Sequence, residues 1–152
     1  MIEKNRAFTI IELIVVISIF SILMGVGLYS FNSYNKARSL ENDTYKIYTL
    51  ANEAKFSAFT EKIDYYLYLS NDGKIVYLDN DTDRNNGFIK SITLTNSFQS
   101  DNNTSFKFIR NGFLETSGSI KPLDISDVQY NCIKLEDMVY IGKINGANCE
   151  KK

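Results

Sequence analysis

The sequence predicts an α+β protein, with one long N-terminal helix laid on antiparallel β-sheet. Three observations lead there: apolar residues crowd near the N-terminus, a three-and-four spacing follows them, and beyond Ile63 the period shortens to that of β-strands. At 152 residues, 44% hydrophobic and 23% charged, the chain has the length and composition of one ordinary globular domain. Its 17 basic and 18 acidic side chains nearly balance, which excludes a wholesale basic footprint for nucleic acid. Histidine is absent, so the commonest general base and the commonest zinc ligand are both missing. The 2 cysteines alone cannot build a four-ligand zinc site. With no nucleophile–base pair, phosphate loop or metal cluster to read, neither catalysis nor a cofactor is expected.

The apolar segment comes first. No residue from Leu13 to Asn35 is charged, and Leu13–Leu28 is interrupted only by Ser18, Ser21, Gly25 and Gly27. As a helix this stretch reaches about 35 Å at ~1.5 Å per residue, enough for a hydrocarbon core of about 30 Å. It is far too long for a buried strand. Lys4 and Arg6 precede it and Lys36 and Arg38 follow it, so charge bias leaves the orientation open. One reading is a removable secretory signal, with Met1–Ala7 as its basic region, Phe8–Met24 as its apolar region and Gly25-Val26-Gly27 as the cleavage site. Another is a plain single-pass anchor. A third rests on Glu12, because a carboxylate just inside an apolar helix is costly and calls for a partner.

The residues around Glu12 make that third reading specific. Lys4-Asn5-Arg6-Ala7-Phe8-Thr9-Ile10-Ile11-Glu12, followed by Leu13-Ile14-Val15-Val16, resembles the processing signature of type IV pilins and pseudopilins. The resemblance implies a pilin-like fold and cleavage between Ala7 and Phe8 by a prepilin peptidase. Phe8 then becomes an N-methylated terminus, Thr9 follows it, and Glu12 takes the place of the family's fifth-position glutamate. Unlike a secretory signal, the apolar segment would stay on the mature protein. Two departures stand out: Ala7 replaces the usual glycine before the cut, and the frequent proline late in the membrane segment is missing near Tyr29. A subsite shaped for no side chain can still admit one methyl group, at some cost in rate. In the assembled filament the new cationic amine of one subunit would pair with Glu12 of a neighbour, each charge offsetting the other's desolvation. Thr9 and Glu12 are thus the expected assembly residues, and the cytoplasmic membrane, the peptidase and other pilin subunits the expected partners.

Past the membrane the helical pattern continues. Ala37, Leu40, Thr44, Ile47, Ala51, Ala54 and Ala58 recur three or four apart and define one face, while Lys36, Arg38, Glu41, Lys46, Glu53, Lys55 and Glu61 are mostly off it. Alanines allow close approach to a sheet, whereas a free coiled coil would favour larger seam residues. A helix from Phe8 to about Lys62 would be roughly 80 Å long.

From there the strands are short. Tyr65–Leu69 and Lys74–Leu78 flank the turn Asn71-Asp72-Gly73, and Phe88–Thr95 alternates. Ser105–Arg110 and Phe113–Thr116 flank Asn111-Gly112, the best hairpin signal in the chain. Gln129–Leu135 and Met138–Ile141 flank Glu136-Asp137. One or two antiparallel sheets follow, and the Asn-rich stretches Asn80–Gly87 and Asn96–Asn103 read as solvated loops. The expected organisation is a leader at 1–7, a transmembrane half-helix at 8–31, an amphipathic half-helix at 32–62 and a β-rich domain at 63–152. Phe106–Phe113, Gly118–Lys121, Cys132–Leu135 and Val139–Lys143, with Gly142-Lys143 as a Gly-basic motif, resemble the H-type minor pseudopilin and FimT-like group. That likeness favours a minor subunit of a secretion, adhesion, motility or DNA-uptake filament over a major pilin.

Three smaller features remain. With the C-terminal domain outside the cytoplasm, Cys132 and Cys149 are expected to pair, as C-terminal cysteines often do in pilins. Asp79, Asp81 and Asp83 form the first half of a calcium loop, but Arg84 stands where such loops need glycine and Lys90 where they need glutamate. A solvated acidic turn is the simpler reading, and calcium the second. Lys143, Lys151 and Lys152 cluster at the end, and Lys107, Arg110, Lys121 and Lys134 could share their face. Such clustering is what DNA capture in transformation would need, though Glu136, Asp137 and Glu150 dilute it.

Overall fold

The structure is a computed structural model that describes residues 9–82, 87–101, 105–124 and 128–151, apart from the side chains of residues 26–29. Among the described residues there are one helix, α1 (Ile10–Glu61), and nine strands. These are β1 (Tyr65–Leu69), β2 (Ile75–Asp79), β3 (Lys90–Thr93), β4 (Phe98–Ser100), β5 (Ser105–Phe108), β6 (Gly118–Pro122), β7 (Cys132–Leu135), β8 (Val139–Asn145) and β9 (Asn148–Lys151). The chain divides into two compact units, Met1–Asn35 and Lys36–Lys152.

In the first unit the helix keeps its apolar side chains bare. Ile10 is 80% exposed, and Leu13, Ile17, Phe20 and Leu23 are exposed as well. The most apolar 18 residues of α1 have a mean hydropathy of 2.6, long and apolar enough to cross a membrane. The two hydroxyls in this stretch are satisfied within the helix: Ser18 Oγ donates to the Ile14 carbonyl and Ser21 Oγ to that of Ile17, each at 2.8 Å. A hydroxyl bonded this way can enter hydrocarbon without an unmet donor.

In the second unit the helix has the opposite character. Leu40, Ile47, Leu50, Ala51, Ala54 and Ala58 are buried against the sheets, with Ala37 packed at the margin. Asp43 lies on the same face and is fully buried. Its carboxylate accepts from the backbone N–H of Thr95 (2.7 Å) and Asn96 (2.8 Å), from Asn96 Nδ2 (2.9 Å) and from Lys46 Nζ (3.0 Å). A buried charge is tolerable only when so completely bonded. Lys62 ends the helix in the left-handed region at φ 60, its ammonium 4.0 Å from the centre of the Phe59 ring.

Every strand pairing is antiparallel. One sheet has the order β3-β2-β1-β5, the other β4-β6-β7-β8-β9. Leu67, Val76, Leu78, Phe106 and Phe108 from the first, and Phe98, Ile120, Ile133 and Leu135 from the second, share one core with the helix. The turn after β1 joins the two sheets, since Phe98 N–H donates to the Gly73 carbonyl at 2.9 Å. At φ 68, Gly73 sits where a Cβ would strike the Phe98 backbone, so the Asn-Asp-Gly turn serves inter-sheet contact as well as the hairpin.

Three expectations change. Phe113–Thr116 is not a strand: beyond the Asn111-Gly112 turn only an isolated Phe108–Leu114 bridge forms. The chain is already leaving the first sheet for β6 in the second. Residues 96–103 are not wholly a solvated loop, because Asn96 is held by Asp43 and Phe98–Ser100 pairs with β6 as an edge strand. The C-terminal tail, assigned no strand from the sequence, forms β9. These short segments carry too little alternation to be seen locally, and pairing with a formed neighbour orders them.

Candidate functional site

The N-terminus of α1 is held by a reciprocal cap. Thr9 N–H donates to Glu12 Oε2 at 2.9 Å, the Thr9 hydroxyl donates to the same oxygen at 2.8 Å, and Glu12 N–H donates back to Thr9 Oγ1 at 3.3 Å. This is the capping box of a Thr followed three residues later by Glu. It satisfies amide donors that would otherwise enter the apolar phase unpaired, and it turns the carboxylate toward the chain's N-terminal end. The box explains why Thr and Glu stand at this spacing at the head of an apolar run. Ala7 and Phe8, the expected processing and methylation residues, lie outside the described residues.

At the other end Cys132 on β7 is bonded to Cys149 on β9, with Cα atoms 5.9 Å apart. These strands flank β8, where Gly142 is opposite Cys132 in register. A Cβ on Gly142 would strike the Glu150 carbonyl and lie 3.2 Å from Cys149 Sγ. The missing side chain lets β9 fold in closely and the disulfide pass over β8. That gives the Gly142 of the Gly-basic motif a packing reason.

The basic residues considered for DNA are mostly engaged by carboxylates. Lys151 Nζ is 2.8 Å from Glu136 and lies over the Tyr140 ring, while Lys134 Nζ is 2.9 Å from the same glutamate. Hydrogen bonds from Lys134 and Lys151 hold the Glu136 carboxyl below its usual value, and Glu136 in turn raises Lys151. Lys121 pairs with Asp101 at 2.8 Å, and Lys107 sits between Asp64 (3.3 Å) and Glu115 (3.2 Å). Arg110 lies 3.9 Å from Asp64. Lys143 is half-buried on β8, and Lys152 lies outside the described residues. Local charge on this face is therefore mixed.

The acidic turn after β2 departs from the solvated reading. Asp79 is only 2% exposed; Oδ1 accepts from Asn80 N–H at 2.8 Å, and Oδ2 is buried without a partner. Lys90, where a calcium loop would need glutamate, is bound to Glu53 at 2.6 Å. Asp83 lies outside the described residues. Among the described residues no three carboxylate, cysteine or histidine side chains converge as a metal site.

An apolar helix opening on a Thr–Glu cap, continued under two antiparallel sheets with a C-terminal disulfide, defines the pilin fold. Residues 3–28 match the family described as "Prokaryotic N-terminal methylation motif". The chain is also similar to the type IV minor pilin FimU of Pseudomonas aeruginosa (strain PAO1) in two crystal forms. For the P21 form the TM-score is 0.57 at 10% identity, covering 77% of this chain and 96% of FimU. For the P65 form it is 0.57 at 9% identity, covering 72% and 96%. No curated protein matches the chain. The motif bears out the methylation signature, and the structural likeness bears out the pilin fold.

Proposed function

We propose that this chain is a minor type IV pilin or pseudopilin. It inserts in the cytoplasmic membrane through residues 8–31, with residues 63–152 outside the cytoplasm. Prepilin peptidase removes residues 1–7 between Ala7 and Phe8, the new Phe8 amine is methylated, and the subunit joins a pilus or pseudopilus with other pilins through α1. The observation that carries this is the Thr9–Glu12 box at the head of an apolar helix, within a matched methylation motif. Outside a filament the box keeps the carboxylate hydrogen-bonded; in a filament the same carboxylate is available to a neighbour's terminal amine. A minor role is supported by the fold likeness to the minor pilin FimU. The ion pairs at Lys107, Lys121, Lys134 and Lys151 give no support to DNA capture as the main role.

Mass spectrometry of the protein from its native membrane tests processing. Methylated Phe8 as first residue is the expected result; a terminus at Leu28 or an intact Met1 refutes it. Replacing Glu12 by Ala should leave membrane insertion intact and remove the subunit from sheared filaments. Undiminished incorporation of that variant would exclude Glu12 as an assembly residue.

A further inference from the structure

In the second unit the face of α1 turned away from the sheets is aromatic rather than polar. At about 100° per residue, Tyr45, Asn52, Phe56, Phe59 and Ile63 fall on the side away from the buried Ala51, Ala54 and Ala58. Phe56 is 68% exposed and Phe59 54%, and Tyr45 and Ile63 are open as well. A single exposed phenylalanine is ordinary, but a contiguous apolar group marks a surface that a partner covers.

The turn after β5 makes a hollow of this face. Gly112 lies so near the helix that a Cβ on it would be 3.2 Å from Phe59 Cβ and 3.3 Å from the Lys55 carbonyl oxygen. Asn52, Lys55, Phe56, Phe59, Asn111 and Gly112 line a space of about 390 Å³. Both amides are already turned to the chain: Asn52 Nδ2 donates to the Tyr48 carbonyl at 2.9 Å, and Asn111 Oδ1 accepts from Phe113 N–H at 3.0 Å. The two rings are therefore the main contact surface of the hollow.

Charge on this face of the helix has one sign. Lys55 lines the hollow, and the Lys62 ammonium stands 4.0 Å from the centre of the Phe59 ring. Lys55 Nζ donates to the Asp137 backbone carbonyl at 3.2 Å. Among the described residues neither ammonium is paired with a carboxylate. The helix carboxylates nearest in sequence are spent elsewhere, Glu53 on Lys90 and Glu61 on the Tyr65 hydroxyl. Beyond the helix, Asp64 holds Lys107 and lies 3.9 Å from Arg110, and Glu115 also holds Lys107. An apolar hollow with two unpaired cations is complementary to an apolar group that carries an acid.

We propose that this hollow docks an acidic, apolar segment of another pilin subunit. An apolar side chain of that segment enters between Phe56, Phe59 and the Asn111-Gly112 turn, and a flanking carboxylate meets Lys55 and Lys62. Apolar burial supplies the affinity, and the acid supplies selection among partners. Two lysines are too few for a run of phosphates, so a polypeptide is favoured over nucleic acid. The proposal rests on the reading of this chain as a filament subunit.

The test uses the full chain in its native cells, measured in membranes and in sheared filaments. Phe56→Ala, and separately Lys55→Glu with Lys62→Glu, should each lower the amount in filaments by about fivefold or more. Membrane level should not change, because these side chains lie outside the core. A photoreactive phenylalanine analogue at position 56 identifies the occupant by mass spectrometry of the cross-linked peptide. The expected link is to a different pilin, in a segment with Asp or Glu beside the linked residue. Links to a second copy of this chain, to nucleic acid, to lipid or to a segment without an acid overturn the proposal, as does the absence of any link. Undiminished incorporation of both variants overturns the docking site alone. Absence of the parent chain from filaments overturns the filament reading, and the docking site with it.

Discussion

The two halves of α1 solve opposite problems with the same backbone. Before residue 35 the large apolar side chains are bare, and the Ser18 and Ser21 hydroxyls bond carbonyls within the helix. After residue 36 Ala51, Ala54 and Ala58 are fully buried, and a buried aspartate reaches out to bond another segment. The first half is specified by its solvent, the second by its neighbours. A membrane asks only for apolarity and internal hydrogen bonds, so by itself it does not distinguish Ile, Val and Leu. A sheet packed on a helix asks for a particular volume at each position, so the second half uses small residues where the sheets come closest.

Substitutions can break that contrast or sharpen it. Asp43→Ala should have the largest effect on the second unit, because it strands the Thr95 and Asn96 amides. At about 1–3 kcal/mol for each amide left unmet, a loss of about 2–6 kcal/mol is expected in denaturant unfolding. Loss of less than that would mean the 95–96 turn is held by something else. Opening the disulfide with Cys132→Ser and Cys149→Ser comes next. For a sequence separation of 17 the chain-entropy relation gives about 3 kcal/mol, read as a lower unfolding midpoint and faster proteolysis of β9. Ala54→Leu should cost about 1–3 kcal/mol by overpacking. By contrast, Ser21→Leu in the first unit should leave the unfolding of the sheets unchanged, and an equal loss from both would erase the distinction.

The smallest expected effect is the pH response of the Glu136 cluster. Lys134 and Lys151 lower the folded pKa of Glu136 below its ordinary 4.5. The unfolded chain therefore binds more protons there, and stability rises with pH through this range. The contribution is complete above 4.5 and is lost as pH falls through the lowered folded value. Exposure and salt keep it small. The Glu136→Gln variant should flatten the acid limb of a Tm–pH profile slightly at low ionic strength, and that difference should vanish in high salt.

Much of the fold was legible because its signals are local. The apolar run, the alanine spacing from Ala37 to Ala58 and the turns at Gly73 and Gly112 each lie within a few neighbouring residues. Of the candidate sites, the Thr9–Glu12 pair was legible for the same reason. Asp43 was not, since its partners at Thr95 and Asn96 lie more than 50 residues away in sequence. Nor was the burial of Asp79, which depends on the chain folding back over Tyr68 and Tyr77.

The sequence by itself determined the element types of the two halves and the capped head of the apolar helix, because periodicity and capping are short-range properties of a chain. Only the tertiary structure decided where β4, β6 and β9 pair and which lysines stand beside carboxylates. It also decided that Asp43 and Asp79 are taken out of water. Those outcomes turn on groups distant along the chain meeting in space, and burial and charge pairing are energies of that meeting.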